Sequence, residues 1–340
     1  MALTWWKYKK QITIDNSNNS NALTNYQIRT DLTNNNFDFS KAKSDWSDIR
    51  FKDSDDSTSL SYWIESWDSS WKTATIWAKV PSIPASSTYD IYMYYWNSSA
   101  TSKSNGDNTF DFFDNFNWSS IDTNKWTVEK EGSTDAIVEL DGNSNLHLAG
   151  KSNTISSGNV LSTATFTNGF AIRARRQYTE DYYADISIGN GTLQAMDDGG
   201  QSKWRHTVQG DGYGCMQQAL DSHFITKTPS GSGYSELAND DSNSWGATNT
   251  FEEIEFIYDS SGHLKWIHNG VEKLSATNTD YLSSDKYLLL SQGEYSDGRG
   301  GDSYYDWIRI RKYTSSEPTT TVGAEIKMQI GNTIFFSFNF

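Results

Sequence analysis

Two aspartates stand at positions of predicted β-strands where an apolar residue would be expected. In the stretch GDSYYDWIRIRKY (301–313), an extended strand places Asp306 on the same face as Ile308. In FDFFDNF (110–116), Asp114 likewise shares a face with Phe112 and Phe116. Burying a lone carboxylate is costly, so we expect each aspartate to have a partner.

A shared metal ion is one way to satisfy the pair. If the strands that carry Asp114 and Asp306 are neighbours, two inward carboxylates need a counter-charge to stay ionised, and a hard cation such as Ca²⁺ would supply it. Alternatively, each carboxylate accepts hydrogen bonds from backbone amides or a tryptophan indole, and no metal is bound. The loop SDGRGGDS (296–303) adds Asp297 and Asp302 as further oxygen ligands, although Gly–Asp loops are also common turns.

A second group of polar residues has the composition of a sugar-binding surface. Arg173 and Arg175 share one face of FAIRARRQ, and Glu253 and Glu255 share one face of FEEIEFIY. Carbohydrate sites combine such planar polar groups with aromatic faces that cover the apolar side of a sugar ring. The predicted ligand-binding residues are Arg173, Arg175, Tyr183, Asp185, Trp204, Glu253 and Glu255, with Tyr182 and Trp245 at the rim. A single aromatic residue is more often part of a core, so the prediction depends on their convergence in space.

The overall charge limits the class of partner. The 340-residue chain has a formal net charge of −15 and a pI near 4.7, which argues against a nucleic-acid backbone or an anionic membrane as the main partner. The chain has no run of about 20 apolar residues, so we predict no membrane insertion. Cys215 is the only cysteine, so no intrachain disulfide can form, and we expect it to be a small buried hydrophobe. The start, MALTWWKYKKQITI, lacks a signal-peptide core, so we expect that a signal was removed or that the protein leaves the cell by another route.

Short segments of alternating apolar and polar residues recur from end to end and predict an all-β fold. The polar stretch NSSATSKSNGDNT (97–109) is typical of a linker, because it offers little to bury. The second series of strands, from FDFFDNF to RIRKY, is long enough for two large packed sheets. We therefore predict a β-sandwich at 1–108, a second at 109–314, and a linker with an amphipathic β tail at 315–340.

The tail VGAEIKMQIGNTIFFSFNF (322–340) carries an apolar stripe. Alternate residues from Ala324 to Phe340 are apolar, with Asn332 as the only break. Such a stripe needs a surface to cover. We expect the tail to dock on a sheet of its own chain or on that of a neighbouring chain.

Four segments near the start carry a family resemblance. They are WKYKKQITI, SDIRFKDSDDSTSLSYWIESW, TATIWAKVPSIPASSTYDIYMYYWN and SNGDNTFDFFDNF. In this order they resemble a family catalogued as a domain of unknown function, found in archaeal, bacterial and phage surface proteins. The resemblance implies a β-sandwich of extracellular or virion proteins with no established chemistry.

Three later segments resemble the concanavalin A-like lectin and glucanase superfamily, which has a jelly-roll fold. FFDNFNWSSIDTNKWTV is similar to its opening strand, EEIEFIYDSSGHLKWIHNG to a late hairpin, and YYDWIRIRKY to its closing strand. In such folds the first and last strands commonly lie side by side, and some members hold a structural calcium there, so the resemblance supports Ca²⁺ at Asp114 and Asp306. The fold hosts lectins, hydrolases, lyases and inert spacers and does not decide the function.

Catalysis is the alternative to binding. Glycosidases of this superfamily resemble one another in a strand motif, E-x-D-x-E or E-x-D-x-x-E, which places both reacting carboxylates on one face. In FEEIEFI the next residue on the face of Glu253 and Glu255 is Ile257, so a solvated strand face is favoured. Residue types for a lyase are present, but no arrangement matches the lyase motifs. His206 shares its face with Trp204 and is expected to be a buried imidazole.

The sequence therefore predicts a non-catalytic protein of the extracellular space or a virion surface that acts in adhesion or glycan binding. A structural Ca²⁺ and a glycan or cell-surface polysaccharide are the expected cofactor and partner. Two alternatives stay open: a filament or particle subunit that assembles through residues 322–340, and a polysaccharide-degrading glycoside hydrolase or lyase.

Overall fold

The chain folds almost entirely into antiparallel β-strands, as predicted. The computed structural model describes residues 5–151, 154–167, 169–179, 184–196, 206–219, 222–229, 233–241, 245–294 and 301–328. The chain divides into two compact units. The first unit comprises residues 1–111 with 316–340, and the second unit comprises residues 112–315. The last strand among the described residues therefore belongs to the first unit.

The elements follow one another in chain order with short polar connections. The strands of the first unit are β1 (Tyr8–Asp15), β2 (Leu23–Thr33), β3 (Arg50–Lys52), β4 (Ser59–Leu60), β5 (Tyr62–Asp68), β6 (Thr73–Ile83) and β7 (Thr88–Tyr95), with a 3₁₀ turn at Phe39–Lys41 and a helical turn at Gly106–Thr109. The second unit contains β8 (Phe112–Asp114), β9 (Trp126–Glu131), β10 (Ile137–Leu140), β11 (Leu146–Ala149), β12 (Ser156–Phe166), β13 (Phe170–Tyr178), β14 (Ala184–Gly189), β15 (Leu193–Met196), β16 (His206–Gln209), β17 (Gly212–Ala219), β18 (Ser222–Thr228), β19 (Ser235–Asp240), β20 (Glu252–Tyr258), β21 (His263–His268), β22 (Val271–Thr277), β23 (Lys286–Glu294) and β24 (Asp302–Lys312). The final strand is β25 (Thr319–Lys327).

The first unit is a β-sandwich of two sheets. One has the order β25-β1-β7-β3-β4 and the other the order β2-β6-β5. Alternate residues of each strand point into one core; Ile12 and Ile14 enter it from β1, and Ile76 and Ala78 from β6. Because apolar and polar residues alternate in the sequence, each strand has one apolar face that packs into the core.

Strand β25 docks on β1 of its own chain, where Val322 lies opposite Ile12 and packs against the core. The register shifts between Lys10 and Ile12, which changes the face on which later residues lie. Ala324 and Ile326 are consequently exposed, so the prediction that they form the covering stripe was wrong. The predicted stripe beyond residue 328 lies outside the described residues.

The second unit is a larger jelly-roll sandwich, and the predicted fold class is confirmed. Its sheets have the orders β19-β18-β17-β14-β23-β12-β9 and β10-β11-β24-β13-β20-β21-β22, with β8 paired to β24. We call them the seven-stranded and eight-stranded sheets. Their facing sides share one core of aliphatic and aromatic residues. At Gly158 a Cβ would lie 2.1 Å from the carbonyl oxygen of Ile137, so the close approach of backbone there requires glycine.

The β15–β16 hairpin belongs to neither large sheet. Strand β16 packs beside β14 and β23, and so covers part of the seven-stranded sheet. Among the described residues, no helix is long and apolar enough to cross a membrane.

Candidate functional site

Four of the predicted ligand-binding residues lie together on the outer surface of the eight-stranded sheet. In β13, Ile172 is in the core, so Arg173 and Arg175 point away from it. Glu255 is the register partner of Arg173, and Glu253 that of Arg175. Antiparallel pairing therefore brings together, side by side, residues that are about 80 positions apart in the sequence.

The charged groups of this surface are paired with one another. The ion pairs are Arg173–Glu253, Arg175–Asp306 and Arg311–Glu255, the last with an Nη2 to Oε1 distance of 3.4 Å. The side chains of Arg175 and Asp306 are 40% and 35% exposed. Partly exposed ion pairs contribute only about 0–1 kcal/mol each to stability. The Arg175–Asp306 pair leaves planar donors and acceptors at the surface of the sheet that a polar ligand could also engage, whereas Arg311 and Glu255 are only 5% and 12% exposed.

Aromatic rings lie beside these ion pairs. The guanidinium carbon of Arg175 lies 4.5 Å from the centre of the Phe251 ring. Further along the sheet, Tyr304 lies opposite Gln177 of β13 and stacks on His147 with ring centres 4.5 Å apart. We call this surface the outer polar face, and its members are Arg173, Arg175, Gln177, Phe251, Glu253, Glu255, Tyr304 and Asp306.

His147 and Asp302 form a polar contact at one end of the outer polar face. His147 Nε2 lies 2.6 Å from Asp302 Oδ1, and the Thr179 hydroxyl donates to Oδ2 at 3.2 Å. Burial acts to lower the pKa of His147, but Asp302 and Glu139 raise it above its ordinary value. The hydrogen bond from His147 likewise lowers the pKa of Asp302. Asp302, predicted as a further oxygen ligand for calcium, thus has a histidine partner.

Asp185 is separate from the outer polar face. It lies on β14 of the seven-stranded sheet, on the side away from the core residue Ile186, and it is completely buried. Burial raises its pKa to about 8, although Ser187 and Arg176 oppose the shift. The β15–β16 hairpin packs beside this strand. Asp185 is therefore a neutral, inaccessible acid near pH 7 and does not contribute to a binding surface.

The predicted aromatic rim is only partly described. Tyr182, Tyr183 and Trp204 lie outside the described residues, as does the side chain of His206. Trp245 is buried, because it stacks on His223 at 3.9 Å between ring centres. The prediction of Trp245 as a rim residue was wrong, and the half-exposed rings of Phe251 and Tyr304 lie beside the polar groups instead.

The two aspartates predicted to share a calcium ion have different partners. Strand β8 pairs with β24 as expected, but Asp114 lies opposite Ile308. A bulge in β24 turns Asp306 away from the core and toward Arg175, so the prediction that Asp306 faces the core was wrong. Asp114 is buried, as the spacing predicts.

Asp114 is satisfied by hydrogen bonds. Its Oδ1 accepts from the backbone N–H of Phe116 at 2.9 Å, and its Oδ2 accepts from the indole of Trp126 at 2.8 Å. A backbone amide and a tryptophan indole are the donors expected if Asp114 binds no metal ion. Asp297 lies outside the described residues, and among those described no three acidic, histidine or cysteine side chains cluster as a metal site would require. Calcium binding stays a prediction without a described contact to support it.

A cleft in the first unit was not predicted from the sequence. Trp5, Trp6 and Trp96 line it together with Lys7 and Arg50. The adjacent tryptophans precede β1 and Trp96 follows β7, and these strands are antiparallel neighbours. Recognising that pairing from the sequence would have placed the three indoles at the same end of the sheet.

Comparison with known proteins gives one family match. Residues 45–129 match the model of a family described as a domain of unknown function (DUF2341), which confirms that part of the predicted resemblance. No curated protein matches the chain.

Several solved structures resemble the chain in fold. A glycoside hydrolase family 16 endo-glucanase from Bacteroides ovatus is 16% identical over 58% of this chain and 99% of its own, with a TM-score of 0.42. A pseudo β-1,3-glucanase and immunostimulatory antigen of Mycobacterium tuberculosis is 15% identical over 60% and 99%, with a TM-score of 0.41. The carbohydrate recognition domain of Emp47p is 10% identical over 59% and 94%, with a TM-score of 0.44. At this level of similarity no residue role passes to this chain.

Proposed function

We propose that this protein is a non-catalytic glycan-binding protein displayed outside the cell or on a virion surface. The observation that carries the proposal is the outer polar face, where the partly exposed Arg175–Asp306 pair has the ring of Phe251 beside Arg175 and where Tyr304 lies opposite the nearby Gln177. Sugars present hydroxyl groups to planar polar side chains and C–H faces to aromatic rings. This surface offers both kinds of contact on adjacent strands.

The pairing of the carboxylates favours binding over hydrolysis. Glycoside hydrolysis needs one carboxylic acid that keeps its proton near the scissile bond and a second carboxylate opposite it. On the outer polar face Glu253, Glu255 and Asp306 each form an ion pair with an arginine. Asp185 does keep its proton, but it is completely buried and lies on the other sheet. The buried acid that keeps its proton is therefore not among the carboxylates of the outer polar face.

The proposed location rests on composition and resemblance. An acidic chain with a net charge of −15 suits a protein whose partners are neutral glycans or cations. The segments near the start resemble those of archaeal, bacterial and phage surface proteins. Adhesion through a bound glycan is the activity we infer for such a location.

A glycan array followed by calorimetric titration tests the proposal. We expect the full chain to bind at least one polysaccharide, and the double variant Arg175→Ala/Tyr304→Ala to bind it at least about tenfold more weakly, because it loses a charged donor and a stacking ring. Lys151→Ala is the matched control, since Lys151 is 45% exposed and paired with Asp135. Binding unaffected by the double variant, or no binding to any glycan, would contradict the proposal. Reducing ends or unsaturated products released from the panel would contradict its non-catalytic part.

Self-assembly is a second candidate function. Strand β25 pairs with β1 on one side and stands at the edge of its described sheet. An edge strand presents backbone donors and acceptors to a further strand, and the apolar sequence IGNTIFFSFNF follows it. We propose that residues 322–340 pair with a neighbouring chain. Deletions within 319–340 test this proposal.

A further inference from the structure

We propose that the first unit contains a separate binding site, in which the cleft lined by Trp5, Trp6 and Trp96 takes an acidic glycan: a pyranose ring that carries a carboxylate or a sulfate. This site is independent of the outer polar face, because every residue that lines it belongs to the first unit. The inference stands whether or not the second unit binds glycans. We call it the tryptophan cleft.

The tryptophan cleft has the size and composition of a small-molecule site. Its volume is about 680 Å³, within the roughly 300–1,000 Å³ that is usual for ligand pockets. The three indoles share the lining with small residues that have hydroxyl, amide or methyl groups. The lining residues are Trp5, Trp6, Lys7, Arg50, Trp96, Asn97, Ser98, Ser99, Ala100 and Thr101.

Two of the indoles are held in place by the protein, and one is free for a ligand. Trp6 is buried and its indole donates to the carbonyl oxygen of Asp48 at 2.6 Å. Trp96 has a φ of +67°, a strained conformation for a bulky residue, and its backbone N–H donates to the Asp48 carboxylate at 2.8 Å. Trp5 is 74% exposed. An exposed indole next to two fixed ones provides a stacking surface for a sugar ring at little ordering cost.

The charges of the tryptophan cleft are all of one sign. Lys7 and Arg50 line it, and no carboxylate does. Within the described part of the chain neither cation forms an ion pair. The guanidinium of Arg50 instead donates to backbone carbonyls, including that of Thr101 at 2.6 Å, and lies 5.3 Å from the centre of the Trp6 ring.

The second cation of the tryptophan cleft, Lys7, lies close to the ring of Trp96. Lys7 Nζ is 5.4 Å from the centre of the Trp96 ring. Lys7 and Arg50 give the lining of the cleft a positive charge, whereas the carboxylate of Asp48 behind it is buried and accepts from the backbone N–H groups of Trp96 and Asn97. A sugar that stacks on an indole and carries a negative group would use the ring and the cations together.

Calorimetric titration of the full chain with a galacturonic acid trimer tests the proposal. We expect binding that weakens as salt is raised, and weaker or no binding of the methyl ester of the same trimer, which keeps the ring but loses the charge. A sulfated galactan oligosaccharide shows whether sulfate replaces carboxylate. An aspartate-rich peptide should not bind, because it lacks a ring that stacks on the indoles.

Variants separate the tryptophan cleft from other surfaces. Trp5→Ala should weaken trimer binding at least about tenfold without a change in melting temperature, because the side chain is exposed. Lys7→Gln should reduce the preference for the acid over its ester. Trp71→Ala is the matched control and should leave trimer binding unchanged, since Trp71 is 81% exposed in the same unit. Equal binding of acid and ester, binding unaffected by Trp5→Ala, or no binding of either charged sugar would overturn the proposal.

Discussion

Asp114 and Asp306 show how two identical side chains acquire different roles from their surroundings. Asp114 is buried and accepts from the Phe116 backbone, which has a φ of +52°, and from the Trp126 indole. It therefore fixes a strained turn and the orientation of a core tryptophan. Asp306 is partly exposed and pairs with Arg175. The first residue is structural, and the second belongs to the surface that we propose binds a glycan.

Replacing Asp114 tests whether hydrogen bonds or a metal satisfy it. We expect Asp114→Ala to lower the free energy of unfolding by roughly 2–6 kcal/mol, because two buried donors each lose a partner worth about 1–3 kcal/mol. Asp306→Ala should cost about 1 kcal/mol or less. Urea unfolding of both variants measures this, and EDTA should leave the wild-type curve unchanged. A loss of stability in EDTA that Ca²⁺ restores would instead support a shared cation.

The buried carboxyl of Asp185 predicts a pH dependence of stability. Its pKa is raised to about 8 by burial, whereas an unfolded aspartate has a pKa near 4, so the folded state binds more protons between these values. The wild-type free energy of unfolding should therefore contain a contribution that falls by about 1.4 kcal/mol per pH unit from pH 4 to pH 8.

Comparison with Asp185→Asn isolates that contribution. The variant cannot ionise at this position, so its stability relative to the wild type should increase as the pH rises from 5 to 8. Urea unfolding at each pH gives the difference. Asp306→Asn is the matched control, because Asp306 is partly exposed and ion-paired. A difference between Asp185→Asn and wild type that is independent of pH would contradict the protonated, buried state.

At the scale of elements, regular strands were predictable and irregular ones were not. The period-two pattern gives the inward residues of β1, β6 and β13, because an unbroken strand keeps its faces. In β24 one extra residue at the bulge puts Tyr305 in the core and Asp306 outside, and no local pattern marks it. The same effect reversed the faces of β25, where the bulge depends on its pairing with β1.

The contacts between the residues of the outer polar face were likewise predictable where the strands are regular and not where they are irregular. Arg173 and Glu255 were predicted to share a surface because each strand alone exposes them, and the structure makes them register partners. The contribution of Asp306 to that surface depends on the bulge, and that of Tyr304 on the neighbouring strand. Such contacts arise from tertiary packing, which the sequence of one strand does not contain.

Two deletions separate the roles of β25 and of the residues after it. Removing residues 319–340 should strongly destabilise the first unit, because Ile12 loses Val322 and because Lys41 and Tyr95 lose Glu325. Removing only 329–340 keeps β25 and its pairing with β1. If the tail also joins chains, this shorter deletion should abolish assembly in light scattering at equal protein concentration. Assembly that survives it would contradict that role of the tail.

At the scale of the whole molecule, each unit has its own core and its own candidate site. The core of the first unit contains residues from Ile12 to Tyr95, with Val322 packed against it. The core of the second unit contains residues from Phe112 to Ile310. The tryptophan cleft and the outer polar face are likewise built within separate units.

Separate cores also predict that the units unfold separately. We expect two transitions in differential scanning calorimetry. Ile76→Ala and Leu288→Ala each remove a completely buried side chain, the first from the core of the first unit and the second from that of the second unit. Each should cost roughly 2–5 kcal/mol and lower only one melting temperature, since the cavity lies in only one core. Trp71→Ala, at an exposed position, should move neither transition. If either core variant lowered both transitions equally, the two cores would be one cooperative system, and binding at one site would then be coupled to the stability of the other.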